Sequence, residues 1–102
     1  MIVRIWHGTT PRARADAYAE FLKERSISDH RDAFGNQEVI ILRRDEQDVS
    51  HFLTVSRWES EGAVRDWAGG DLLRTKYYSE DKEFLLELEP EVQHFTVVGL
   101  AP

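Results

Sequence analysis

Short apolar runs separated by polar turns divide this chain into alternating strands and helices. The first run, Ile2–His7, is rich in β-branched and aromatic residues and predicts a strand that is apolar on both faces. A strand exposed to water usually alternates with polar residues, so we expect this strand to be central and covered on both sides. Thr10 and Pro11 are typical of the cap and the first position of a helix. That helix is expected to end between Ser26 and Ser28, and its apolar residues recur at helical spacing: Ala15, Tyr18, Phe21 and Leu22.

The middle of the chain predicts a hairpin followed by a second helix. Two strands, Val39–Arg44 and Ser50–Trp58, flank a short acidic turn and should pair in antiparallel fashion. Ser60 is a good helix cap, and the Gly69-Gly70 pair is a good helix end. The inner stripe of this helix is Ala63, Val64, Trp67 and Ala68.

The last third predicts a further short helix and a final strand. Asp71 can cap a helix that carries Leu72, Leu73, Lys76 and Tyr77, and Val92–Val98 reads as the last strand. The order β-α-β-β-α-β is that of a ferredoxin-like α+β fold, in which helices cover one face of a four-stranded antiparallel sheet. A chain of 102 residues fits a single domain, 1–102.

The strands carry apolar side chains on both faces. On the third strand Phe52, Thr54, Ser56 and Trp58 alternate with Leu53, Val55 and Arg57. A monomer seldom exposes a contiguous apolar patch, so we expect two copies to stack their sheet faces as a homodimer. The alternative is a second face that stays in contact with water.

Composition narrows the classes of partner. The net charge of −6, with basic residues scattered among acids, argues against nucleic acid. No apolar run approaches the roughly 20 residues of a membrane span, and MIVRIWHG lacks a basic leader, so a cytoplasmic location is expected. There is no cysteine, and no two histidines are spaced for a helical zinc site, so no metal is expected. The Gly-rich motifs of nucleotide cofactors are absent as well.

Three segments, MIVRIWHGTTP, FLTVSRWESEGAVRDWAG and FLLELEPEVQHFTVV, resemble the antibiotic biosynthesis monooxygenase family of the dimeric α/β-barrel superfamily. The resemblance covers nearly the whole chain. Members include cofactor-free oxygenases of polycyclic aromatic phenols, quinol oxygenases and haem-degrading enzymes. The haem-degrading branch uses a first-strand Asn, a helix Trp and a later His, and the matching positions look like His7, Trp67 and Tyr77. The two replacements disfavour haem degradation, and the set is more similar to that of the cofactor-free oxygenases.

Five side chains are therefore candidates for a site: His7, Trp67, Tyr77, Arg57 and Tyr78. If the His7 face of the first strand meets the helices, its neutral imidazole can take a proton from a phenol. Trp67 can stack on an aromatic ring and donate its N–H to an oxyanion. Successive helical positions point about 100° apart, so only one of the two tyrosines can face inward as a hydrogen-bond donor, and Tyr77 is preferred. Arg57 can hold a phenolate or carboxylate, although pairing with a surface acid is the simpler role.

The leading expectation is a homodimeric, cofactor-independent monooxygenase-like protein that oxidises a small aromatic or polycyclic phenol with O2. One alternative is a non-catalytic binding or stress-related module whose pocket is filled by its own Trp and Tyr. Another is a haem-binding or haem-degrading protein. A void of roughly 300 Å³ or more beside Trp67 favours a ligand, whereas a filled space favours a core role.

Overall fold

The computed structural model describes all residues, 1–102, and contains one four-stranded antiparallel sheet. Its strands are β1 (Ile2–Pro11), β2 (Asn36–Glu46), β3 (Val49–Trp58) and β4 (Gln93–Thr96). They lie in the order β2-β3-β1-β4, so β1 is central, as its sequence predicts. With helices packed on one face, this is the predicted ferredoxin-like α+β fold, and the fold prediction is confirmed.

A continuous helical arm follows β1. A 3-10 turn (Arg12–Arg14) leads into α1 (Ala15–Phe21), a π-helical segment (Leu22–Ser26) and α2 (Ile27–Arg31). The predicted start of this helix at Thr10 and Pro11 is wrong, because both residues continue β1 and pair with β3. The predicted end was also too early, since the arm runs on to Arg31.

The hairpin is confirmed, with strands longer than predicted and a two-residue turn at Gln47 and Asp48. The next helix, α3 (Glu61–Ala68), begins and ends as predicted. The Ser60 hydroxyl accepts a hydrogen bond from the Ala63 N–H at 3.2 Å. Gly69 ends the helix in a left-handed conformation with φ of 93°, which an L side chain adopts only at a cost.

The predicted helix after Asp71 is wrong. Gly70 also has a positive φ, 104°, and the chain turns back along residues 89–92 instead of coiling. The Thr75 N–H donates to the Pro90 carbonyl at 3.1 Å, and the Val92 N–H donates to the Leu73 carbonyl at 2.9 Å. These long-range bonds replace the bonds that a helix would have made. A 3-10 turn (Ser79–Glu83) follows, and the last strand is shorter than Val92–Val98.

The two faces of the sheet differ sharply in burial. On the helix-side face, β3 buries Phe52, Thr54, Ser56 and Trp58 under the helices. The opposite face, here called the open face, carries Val3, Ile5 and His7 of β1 and is not covered by the chain itself. The expectation that β1 is covered on both sides is therefore wrong for the single chain. No helix of the structure is long and apolar enough to span a membrane.

Two small cores hold the helices to the sheet. One lies under α3 and comprises Ile2, Trp58, Ala63 and Val64; the other lies under α1 and comprises Ala15, Tyr18, Leu22 and Phe52. Between them, polar side chains of β1 and β3 face the helices: Arg4, Thr54 and Ser56 are buried there. The interior between the two cores is thus polar and aromatic, and the candidate site lies in it.

Candidate functional site

A cavity lies between the helix-side face of the sheet and residues 69–78, here called the covering segment. Its wall includes Arg4, Trp6, His30, Trp67, Lys76 and Tyr78. The free space is about 30 Å³, enough for one or two water molecules. This is far below the void expected for a preformed ligand pocket. The chain's own side chains fill the site in this conformation, and a larger ligand requires the covering segment to move.

Trp67 is the aromatic centre of this wall. It lies on the last turn of α3, and its ring packs 4.5 Å from the His30 ring and 5.2 Å from the Trp58 ring, measured between centroids. Its indole N–H is buried and has no hydrogen-bond acceptor. The Trp58 indole N–H, in contrast, donates to the Ser56 hydroxyl at 2.9 Å. Buried donors are nearly always paired, so the unpaired N–H of Trp67 calls for an explanation.

Trp6 contributes a second indole to the wall. It precedes His7 on β1 and points to the helix side because successive residues of a strand point to opposite faces. Its buried N–H lies near the Tyr77 hydroxyl but does not reach hydrogen-bonding geometry. The Trp6 N–H is therefore a weaker candidate than the Trp67 N–H for a donor that pairs with a ligand.

Arg4 brings a positive charge into the same space. It is 2% exposed, and its guanidinium lies 5.4 Å from the centre of the Trp67 ring. It donates to the backbone carbonyls of Leu72 at 2.9 Å and Arg74 at 2.8 Å. It also contacts the His94 Nε2 at 3.2 Å. Burial lowers the pKa of Arg4 to about 10, so the group remains a cation at neutral pH.

His30 supplies a proton acceptor. It lies on α2, and its Nδ1 is 2.7 Å from the Ser26 carbonyl, which requires the ring proton on Nδ1. The other ring nitrogen, Nε2, then carries a lone pair and has no partner in the chain. Burial lowers the pKa of His30 by more than the hydrogen bond to Ser26 raises it. The imidazole is therefore neutral at neutral pH and able to accept a proton at Nε2.

Asp29 fastens the covering segment over the cavity. Its Oδ2 accepts from the Lys76 ammonium at 3.0 Å and from the Tyr78 hydroxyl at 2.7 Å. Burial alone would raise the pKa of Asp29, but the bonds from Tyr78 and Lys76 outweigh it and hold the pKa below its usual value. The Lys76 Nζ lies 4.3 Å from the centre of the Trp67 ring. One carboxylate thus ties the segment to α2.

The structure brings only two of the five predicted site residues, Trp67 and Tyr78, to the cavity. His7 lies on the open face, where its Nδ1 is 2.7 Å from the Glu89 carboxylate and its Nε2 is 3.0 Å from the His51 Nδ1. The condition on which His7 was a candidate, that its face of β1 meets the helices, is not met, because the residues of β1 that face the helices are the even-numbered ones.

Tyr77 and Arg57 also lie outside the cavity. The Tyr77 hydroxyl donates to the Glu89 carbonyl at 2.5 Å, and Arg57 bonds Gln37 and Glu38 on the open face. The preference for Tyr77 over Tyr78 is wrong, because the segment is extended rather than helical. For His7 and Tyr77 alike, the preceding residue, Trp6 or Lys76, lines the cavity instead.

No protein-family model matches the sequence, and no curated protein matches it. Solved structures do match. A candidate antibiotic biosynthesis monooxygenase from Nitrosomonas europaea is 15% identical, covers 97% of this chain and 100% of its own, and superposes with a TM-score of 0.70. A candidate antibiotic biosynthesis monooxygenase from Bacillus cereus is 14% identical over 98% of this chain and 97% of its own, with a TM-score of 0.65.

The haem degrader MhuD from Mycobacterium tuberculosis, solved with two haems in its active site, is 18% identical over all of both chains, with a TM-score of 0.68. At these identities the likeness concerns the fold. The chain has the fold of the antibiotic biosynthesis monooxygenase-like proteins, which confirms at that level the resemblance in the sequence.

Proposed function

We propose that this chain is a small-molecule-binding protein of the monooxygenase type, whose cavity beside Trp67 takes a small aromatic phenol and supports its oxidation by O2 without a cofactor. One observation carries the proposal: a buried indole N–H of Trp67 without an acceptor, 4.5 Å ring to ring from a neutral imidazole. A phenolic oxygen supplies the missing acceptor. The solved structures named for monooxygenases share the fold and agree with this class.

The proposed chemistry assigns the proton to His30. Its free Nε2 accepts the phenolic proton, and the Trp67 N–H donates to the phenolate oxygen that results. The phenolate is electron-rich and reacts at a ring C–H with O2. The O–O bond breaks: one oxygen atom becomes the new quinone carbonyl, and the other leaves as water with the hydrogen from the ring carbon and the proton returned by His30, so the substrate supplies all the electrons. His30 takes this role in place of His7, because His7 lies on the other side of the sheet.

Access to the site requires the covering segment to move. The segment begins at Gly69 and Gly70, both of which have positive φ, and a Cβ atom at either glycine would meet no other atom within 4 Å. Its far end is held by the contacts of Lys76 and Tyr78 with Asp29. We propose that these contacts break when a substrate enters. If these contacts do not break, the filled cavity fits the alternative hypothesis of a non-catalytic module whose pocket is occupied by its own side chains.

We propose in addition that two copies associate through their open faces. This face carries Ile40, Leu42 and Phe95, which are 41%, 45% and 53% exposed in the single chain. Side chains of this size rarely stay uncovered as a contiguous patch. His7 and Arg57 then lie at the interface rather than in the catalytic site.

A haem fits this cavity poorly. The buried polar atoms of the wall that lack partners are the indole N–H groups of Trp6 and Trp67, which cannot ligate iron. Of the wall groups that can, Lys76 and Tyr78 are engaged by Asp29, whereas the Nε2 of His30 is free. The free space of about 30 Å³ is far too small for a porphyrin, which needs a much larger opening of the covering segment than a phenol does. The size of the cavity therefore supports no step through haem, and titration with haem should give no saturable shift of its Soret band.

The test is oxygen consumption with a panel of hydroquinones and anthrones. Replacing His30 with Gln should lower the rate at least about 100-fold if His30 is the base. The matched control is His7→Gln, which should keep the rate because His7 lies outside the cavity. Equal losses in the two variants would contradict the assignment of the base. Binding without any oxygen consumption would leave the non-catalytic module as the function.

A further inference from the structure

Arg4 is a buried cation for which the chain provides no counter-ion. No carboxylate lies within ion-pair distance of its guanidinium. We propose that the cavity holds its aromatic ligand as an anion, a phenolate whose negative charge Arg4 balances. This inference rests on the proposed function, because it specifies the ionised form in which the phenol is bound.

The two carboxylates nearest to the cavity, Asp29 and Asp81, already accept hydrogen bonds from other groups. Asp29 accepts from Lys76 and Tyr78. Asp81 accepts from the Tyr18 hydroxyl at 2.9 Å and from the backbone N–H of Tyr78 at 2.7 Å. Neither carboxylate is therefore available to neutralise the guanidinium.

The other titratable groups that face Arg4 are neutral or positive. His94 presents its Nε2 to the guanidinium, so it accepts there and is neutral, and burial lowers its pKa. His30 is neutral as well. Lys76 adds a second cation, although Asp29 pairs with it, and both cations lie within about 6 Å of the Trp67 ring, the reach of a cation–π contact. The local positive charge is notable in a chain whose net charge is −6.

The guanidinium also has donor capacity to spare. Its hydrogen bonds to Leu72, Arg74 and His94 engage only the two terminal nitrogens, and the Nε–H has no partner among them. A guanidinium carries five N–H donors, so at least two remain for a ligand. Burial of an ion without a partner of opposite charge is costly, and an anion in the cavity would remove that cost.

A purely structural role for Arg4 makes a different prediction. Its bonds to the Leu72 and Arg74 carbonyls tie β1 to the covering segment, and that role requires donors but no ligand. If this is its only role, substitution changes stability and leaves the ionisation of a bound phenol unaffected. The ionisation of the ligand therefore separates the two roles.

The probe is 4-nitrophenol, because its neutral and ionised forms absorb at different wavelengths. Its absorbance is titrated against pH with and without excess protein, and nitrobenzene serves as the ligand that cannot ionise. The wild-type protein should bind the phenolate at least about tenfold more tightly than the phenol, which lowers the apparent pKa of the bound probe by about one unit. Arg4→Met should clearly reduce this shift, because only the contributions of the Trp67 N–H and His30 remain, and should leave nitrobenzene binding within about twofold.

Two further variants control for charge and folding. Arg4→Lys keeps the cation and should retain part of the shift. Arg65→Met removes an exposed arginine of α3 and should leave the shift unchanged. If Arg4→Met does not fold, the wild-type titration still decides the sign of the effect, and Arg4→Lys still tests whether Arg4 is its source.

Each outcome bears on one claim. An unshifted or raised pKa of the bound probe, a shift in Arg4→Met as large as that in the wild type, or no binding of either probe would overturn the anion proposal. Equal affinities for nitrobenzene and 4-nitrophenol would overturn it while leaving an aromatic site in place. Phenolate binding that depends on Arg4, without oxygen consumption by any substrate, would support the anion proposal and refute the oxygenase function.

Discussion

Replacing Asp29 with Asn should loosen the covering segment without disturbing the two cores. The substitution keeps an oxygen for the Tyr78 hydroxyl but removes the charge that holds Lys76. The Asp29 and Lys76 side chains are each 29% exposed, so solvent screens part of their attraction. Loss of the ion pair and weakening of the hydrogen bond should together cost about 1–2 kcal/mol. A loss of about 1.4 kcal/mol corresponds to a tenfold larger open population.

Hydrogen–deuterium exchange of the covering segment measures this population. The Thr75 amide, which is bonded to the Pro90 carbonyl, should exchange about tenfold faster in Asp29→Asn than in the wild type. The matched control is Asp16→Asn, which breaks an ion pair with Arg43 on a side chain that is 95% exposed. Its Thr75 amide should exchange at the wild-type rate.

The pH dependence of this exchange follows from the lowered pKa of Asp29. A carboxyl group whose pKa is lower in the folded state stabilises the fold above its unfolded pKa, and this contribution is lost as the pH falls through the folded pKa. The difference between wild type and Asp29→Asn should therefore vanish on acidification. Equal exchange in the two proteins at neutral pH, or the same increase in Asp16→Asn, would refute the role of Asp29.

Three other substitutions test separate parts of the structure. Tyr18→Phe removes a buried donor to Asp81 and should lower the free energy of unfolding by about 1–3 kcal/mol in urea titrations; an unchanged value would contradict that hydrogen bond. Gly69→Ala forces a side chain into positive φ and should cost about 1–2 kcal/mol in the same assay, and no loss would argue against the left-handed turn. Phe95→Asp should reduce the mass from light scattering to about 11.9 kDa, whereas Phe34→Asp should not; a wild-type protein that is already monomeric would refute the proposed dimer.

The fold followed from the sequence because its signals are local. Ser60 and Gly69 define α3 by capping chemistry, and the turn at Gln47 and Asp48 defines the hairpin. The helix predicted after Asp71 failed because long-range backbone bonds to residues 89–92 compete with helical ones, and the spacing of Leu72, Leu73 and Tyr77 carries no information about that competition.

The site was harder to predict because it depends on which alternate residues of β1 point toward the helices. β1 is apolar on both faces, so the pattern alone did not decide whether Trp6 or His7 faces the helices. Arg4 was not among the predicted site residues, because a buried arginine leaves no signature in a single sequence. The one available signal was that Arg4 shares one face of β1 with Ile2 and Trp6, which are both large and apolar. His30 was missed as well, because the predicted helix ends between Ser26 and Ser28, before this residue.

The central claim is that an aromatic phenol binds in the cavity against the indole N–H of Trp67. The three tryptophan side chains give separate indole resonances in a 15N–1H correlation spectrum, and Trp58 serves as an internal reference because its N–H already donates to Ser56. On addition of 1-naphthol, the Trp67 indole proton should move downfield, as a newly formed hydrogen bond requires, while the Trp58 resonance stays in place. A Trp67 resonance that does not move at saturating ligand, or one that moves no more than the Trp58 resonance, would contradict the account.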